Sequence, residues 1–332
     1  MAADITPREK MIIALEGGTP PGLPPHFELV FKRTEEFVGR KRLEKPDLEG
    51  ITGDERQRLL RDNARMWARV YERLDWAVCT GFHGLDPADQ ARSFSYFRGA
   101  AGDRIMLAGF ADGTWHMPNG TNMMEMVVQL FDRPDEVMAQ HEETLARGMG
   151  LVDRFAEMGA EVIFMCTDYC FNDGPWLSPE MFAEHVTPYL ARLVEHIHER
   201  GMFAVKHTDG DIMPILDQLM STGIDGLHSL DPMAGVDIAR VRELVGPELC
   251  LCGNVDCSLV HAGTPEETYD SAIYCLTHGG VDNGAYVFTT SNCIFEGVPL
   301  ENYFAMLQAR EDFGAPGESH ELPEEPRAYA RR

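Results

Sequence analysis

Phe203-Ala-Val-Lys-His-Thr-Asp-Gly210 is an apolar, strand-forming run that stops at a histidine. After Asp209 and Gly210 a helical pattern begins, Asp211-Ile-Met-Pro-Ile-Leu-Asp-Gln-Leu-Met220. A strand that gives way to a helix within three residues reads as half of a parallel β-α unit. In a closed barrel of such units the C-terminal strand ends carry the reactive side chains. His207 and Asp209 stand two apart, so on extended backbone they face the same way. They are half of a metal site or an acid–base pair, or a strand-end histidine hydrogen-bonded to a neighbouring carboxylate.

The same rhythm runs in both directions from this stretch. Downstream, strands are expected at Ile224–Leu230, Glu248–Cys252 and Ala285–Thr290, with helices at Val236–Val245, Pro265–Thr277 and Asn302–Phe313 between and after them. Upstream, Glu161–Cys166 is a buried strand followed by the loop Thr167–Gly174. Ser178-Pro-Glu180 then caps and starts one long helix to about Arg200. Arg133–Met158 and Arg56–Leu74 have helical periodicity. Trp76–Cys79 and His26–Phe31 read as strands, and residues 92–118 as irregular and β-rich. Residues 5–16 form a short N-terminal helix, with Thr6 as N-cap and Pro7 at its first position.

Roughly eight strands alternating with helices predict a (β/α)8 barrel over residues 1–315, with the N-terminal helix as an extension and residues 316–332 as a polar tail. An open doubly wound sheet is the alternative. The absence of G-x-G-x-x-G after the first strand and of a P-loop lysine argues against nucleotide binding.

The formal net charge is −25 over 332 residues. A surface that acidic repels nucleic acid and anionic membrane. Arg8, Glu9 and Lys10 interrupt any signal-peptide core, and no apolar run reaches about 18 residues. Eight scattered cysteines without a secretory signal fit reduced thiols in a cytoplasm.

In a barrel the strand ends meet at one face. That brings together His26 and Glu28, Cys79, Asp168, His207 and Asp209, His228 and Asp231, Asn254 and Asp256, and Cys293. A catalytic zinc takes three such ligands and an open position. His207 with Cys293, completed by Asp209 or Cys252, could supply them. The spacing includes no C-x-x-C or H-E-x-x-H, so buried packing thiols remain the other reading. Asp168, after a buried strand and before an aromatic loop, is a candidate general acid or base. Phe82, Met117, Met123, Met124, Tyr169 and Phe295, near expected loops, are candidate linings for a flat organic substrate, or simply core.

Several of these stretches resemble the uroporphyrinogen decarboxylase superfamily. They are Met11-Ile-Ile-Ala-Leu-Glu-Gly-Gly-Thr-Pro20, Asp168 with Leu177-Ser-Pro-Glu180, Lys206-His-Thr-Asp-Gly210, Gly253-Asn-Val-Asp256, and Ser291-Asn-Cys293 with Pro299-Leu-Glu-Asn302. The resemblance implies a (β/α)8 barrel. The Arg-Gln-Ala-Gly-Arg-Tyr motif of the true decarboxylases is replaced by Glu28-Leu-Val-Phe-Lys-Arg33, which points to the branch of corrinoid-dependent methyltransferases. Thiol-activating members of that branch hold zinc through His-x-Cys and a later Cys. Here Asp209 stands in place of the first Cys, which favours an oxygen donor, or a site without zinc.

The resemblance thus implies transfer of a methyl group from a small methoxylated, aromatic substrate to the cobalt of a cobamide carried by a partner protein. His207, Asp168 and Asp209 would be catalytic, and His207, Asp209 and Cys293 (or Cys252) would hold the metal. His228, Asn254 and Asp256 would face the corrinoid, and Glu28, Cys79, Tyr169 and Phe295 the substrate. A carboxy-lyase acting on a small acid is the alternative, with Lys206, Lys32 and Arg33 as its only basic candidates. The helical outer faces leave room for a homodimer.

Overall fold

The computed structural model describes residues 5–280 and 284–314. Seven parallel strands, in sheet order β1 (Val78–Cys79), β2 (Met106–Phe110), β3 (Val162–Met165), β6 (Phe203–Thr208), β7 (Gly226–Ser229), β8 (Cys250–Cys252) and β9 (Tyr286–Val287), curl round one axis. A separate two-stranded ribbon, β4 (Cys170–Phe171) and β5 (Gly174–Pro175), follows β3. The His26–Phe31 segment closes the ring. His26 bridges in parallel to Trp76 on one edge and to Phe288 on the other, and Phe31 bridges to Ile294. Closure of both edges removes the open-sheet alternative and gives the expected (β/α)8-type barrel.

Side-chain alternation sorts the strand residues into two layers. Val78, Met106, Ala108, Val162, Phe164, Val205, Cys250, Cys252 and Val287 fill the barrel interior. Cys79, Leu107, Ile163, Met165, Ala204, Leu227, Leu251 and Tyr286 face the surrounding helices. The helix Pro7–Leu15 is more than an extension. Met11, Ala14 and Leu15 join the interior cluster, so the helix plugs the N-terminal end of the barrel. Its start is a full capping box between Thr6 and Glu9.

Three expectations need correction. Residues 92–118 are not β-rich throughout. Pro87–Ala101 is a helix whose Phe94 and Phe97 pack inward, and the strand begins only at Met106. The helix from Ser178 is two helices, Pro179–His185 and Thr187–Glu199. Pro188 lacks the N–H needed to continue the first and is suited to begin the second. Met123 and Met124, expected near a loop, instead begin a helix over Met123–Asp132 that follows the loop after β2. The polar tail from 316 onward lies outside the described residues.

Candidate active site

The register pairs His207 with His228 on adjacent strands. Both continue the inward series above Val205 and Gly226, so the two imidazoles meet inside the barrel. His207 Nδ1 lies 2.7 Å from His228 Nδ1, a hydrogen bond that one ring donates and the other accepts. The second nitrogen of His207, Nε2, then faces Asp209 Oδ1 at 3.8 Å. Burial, with Lys206 next to it in sequence, pushes the His207 pKa down to about 3, so the ring is neutral at ordinary pH. Burial and the adjoining His207 hold His228 well below the usual histidine range, and its Nε2 has no hydrogen-bond partner among the described residues.

Asp209 follows the end of β6 and is held from both sides. Ser229 Oγ donates to its Oδ1 at 2.5 Å, and Asn292 Nδ2 donates to its Oδ2 at 2.5 Å. Ser229 sits at φ 84° and Leu230 at φ 50°, a left-handed backbone that costs side-chain-bearing residues of order 1–3 kcal/mol and collects at functional sites. Asp209's own amide donates to Asp168 Oδ1 at 3.0 Å. Burial, then Asp168 and Asp231, raise the Asp209 pKa to about 6 against the hydrogen bonds from Ser229 and Asn292. Asp168, His207 and Asp209 each offer a ligand atom, and all three atoms lie within 4.8 Å of one another. One imidazole nitrogen with two carboxylates is a donor set that zinc accepts.

Cys293 is half-buried beside this cluster. Burial lifts its thiol to about 12, with Glu28 and Asp209 close enough to add to the effect. Cys166, unnoticed in the sequence, is the next inward position after Val162 and Phe164 and is exposed at the barrel mouth. Cys252 lies in the interior, its sulfur 3.9 Å from that of Cys250.

Other expected residues have partners outside the cluster. Cys79 faces the helix layer, because Val78 takes the inward position. Glu28 is fully buried between the inward residues Phe27 and Leu29, and Thr290 Oγ1 donates to it. Tyr169 is buried, and its hydroxyl shares a hydrogen bond with Thr114 Oγ1. Phe295 is exposed on the loop after β9. Asn254 donates to Leu230 O, and Asp256 caps the helix Cys257–Ala262.

Lys206 points to the opposite side of the strand from His207. Its Nζ donates to Asp112 Oδ2 at 3.0 Å and to Thr167 O at 2.8 Å, and lies 4.2 Å from the Tyr169 ring centroid. Arg33 pairs with Glu36.

These features define a (β/α)8 protein with a carboxylate–imidazole cluster at the C-terminal ends of its strands. The family model for uroporphyrinogen decarboxylase (URO-D) matches residues 90–313, and the chain belongs to that family. It is 22% identical over 232 residues to a uroporphyrinogen decarboxylase of Coxiella burnetii, spanning 65% of this chain and 60% of that protein. It is 26% identical over 162 residues to a methylated-thiol–coenzyme M methyltransferase of Methanosarcina mazei, covering 48% of this chain and 40% of that one. In fold it resembles a solved methyltransferase from Methanosarcina mazei, with TM-score 0.72, 17% identity, and coverage of 94% of this chain and all of that one. Among the described residues no helix is long and apolar enough to cross a membrane.

Proposed function

We propose that the protein transfers a methyl group between a small methoxylated, aromatic substrate and a cobamide carried by a partner protein. The observation that carries this reading is the Asp168–His207–Asp209 cluster, which suits a polarised oxygen leaving group. The lysine nearest to it in sequence, Lys206, is turned to the other face and already paired. The similarity to a methyltransferase sequence supports the same reading.

The chemistry asks the protein to align donor carbon and acceptor, and to stabilise the departing oxygen. The bond between methyl carbon and oxygen breaks with its electron pair left on oxygen, and the acceptor supplies the pair for the new bond. A zinc held by His207 and Asp209, with Asp168 or Cys293 completing the set, would supply Lewis acidity at that oxygen. His207, neutral and fixed by His228, presents a lone pair at Nε2 in the tautomer whose Nδ1–H donates to His228. Without a metal, Asp209, with its raised pKa, can instead carry a proton toward the leaving oxygen. Exposed Phe171 in the ribbon strand β4, and Met233 and Phe295 in the segments after β7 and β9, give the mouth an apolar rim suited to a flat ligand.

A carboxy-lyase is the second reading, favoured by Lys32, whose backbone N–H donates to Ile294 O, next to Cys293, at 2.8 Å. Anaerobic transfer from a methoxyarene to reduced cobalamin tests the first reading. Wild type should transfer, and His207→Ala should fold but not transfer. Equal transfer by both would remove His207 from the mechanism.

A further inference from the structure

We propose that the buried Lys206–Asp112 pair is a positioning device that fixes Asp168 against His207 and Asp209. Its bearing on turnover rests on the methyl-transfer reading, but the positioning itself does not.

Lys206 immediately precedes His207 on β6, with its ammonium on the reverse face and fully buried. Asp112 lies on the loop after β2. Burial alone would raise the Asp112 pKa, but the Lys206 charge and hydrogen bonds from Thr114 and Lys206 hold it below the usual carboxylate range. The two groups grip both backbone groups of Thr167, the residue before Asp168. Thr167 N–H donates to Asp112 Oδ2 at 3.0 Å, and Thr167 O accepts from Lys206 Nζ at 2.8 Å.

The grip continues past Asp168. Its carbonyl accepts from Met117 N–H at 3.0 Å, and Tyr169 N–H donates to Thr208 Oγ1 at 3.1 Å. Thr114 links the two ends, donating to Asp112 Oδ1 at 2.6 Å and sharing a hydrogen bond with the Tyr169 hydroxyl. Backbone groups on three consecutive residues are therefore tied to β6 and to the loop after β2. The Asp168 carboxylate is left to meet the amide of Asp209. Because lysine and aspartate cancel, the device adds no net charge to the acidic cluster that it aligns.

Removing one partner strands a buried charge and risks unfolding, so the test uses the double variant Asp112→Leu/Lys206→Met, which buries no charge. Amide hydrogen exchange is followed at Asp209, whose N–H reports directly on the Asp168 carboxylate, and at Val205 on the same strand. Positioning predicts native circular dichroism, exchange at Asp209 accelerated by about tenfold or more, and Val205 unchanged. Asp168→Ala should give the same local signature, and Asp112→Asn/Lys206→Met, which keeps an acceptor for Thr167 N–H without burying a charge, an intermediate one. Unchanged exchange at Asp209, or equal acceleration at both amides, would reduce the pair to a stabilising contact and overturn the proposal. The readout needs no substrate, so a failed methyl-transfer reading would leave it standing. If transfer is observed, the double variant should lower kcat while KM holds.

Discussion

Glu28 is a buried acid whose ionisation the fold must oppose. Burial raises its pKa from an ordinary 4.5 to about 8, although Thr290 and Thr289 donate to it. Its Oε1 has no hydrogen-bond partner among the described residues, and His26 Nε2, 3.9 Å away, belongs to a ring that burial holds neutral with a pKa of about 3. The folded protein therefore keeps the Glu28 proton over a range where the unfolded chain has lost it. The stabilising contribution is complete below the unfolded pKa and is lost as pH rises through the folded value. At about 1.36 kcal/mol per pKa unit, the whole window from 4.5 to 8 is worth roughly 5 kcal/mol.

His26 contributes with the opposite sign, losing stability as pH falls below 6.5, so the clean interval for Glu28 is pH 6.5 to 9. Over that interval wild type should lose about 2 kcal/mol that Glu28→Gln does not lose. The assay is urea unfolding of both proteins at the two pH values, compared as a difference so that other titrations cancel. A variant-minus-wild-type difference that stays constant across the interval would refute the assignment of Glu28 as a protonated buried acid.

Three further outcomes follow from the geometry. Gly210→Ala should destabilise by roughly 2–4 kcal/mol and displace Asp209, because Gly210 has φ 85° and a Cβ there would lie 2.5 Å from Cys170 O; thermal unfolding checks it. Thr6→Ala should cost about 1 kcal/mol in denaturant unfolding, by removing the capping box of the helix that plugs the barrel. His207→Ala should keep the barrel's circular dichroism while weakening calorimetric zinc binding by roughly 10-fold or more, because only two carboxylates of the cluster remain.

Much of this was legible in the sequence because alternation and punctuation are local. Ser178-Pro179 and Thr6-Pro7 announce their helices, and the His207–Asp209 spacing survives as a contact in the barrel mouth. What depends on parity or on partners far along the chain was not legible. Glu28 and Cys79 looked like strand-end ligands, yet inward neighbours take the lumen-facing positions. Phe94, Tyr96 and Phe97 have β-type side chains, but Pro87 and helical spacing put them on a helix. Asp112 and Ser229 carried no motif, and Asn292 stood inside Ser291-Asn-Cys293 with no role of its own. They matter only because the fold brings them to Lys206 and Asp209 from 94, 20 and 83 residues away. Cys166 could have been found by extending the inward series of β3 by two residues.

The central claim is methyl transfer. The most direct measurement is the anaerobic absorbance of chemically reduced cobalamin mixed with the protein and a panel of methoxyarenes. The methylcobalamin band should grow with one class of donor, in wild type and not in His207→Ala. A flat trace across the panel with folded protein, and no reverse transfer from methylcobalamin to the matching phenols, would contradict it and turn attention to the carboxy-lyase reading.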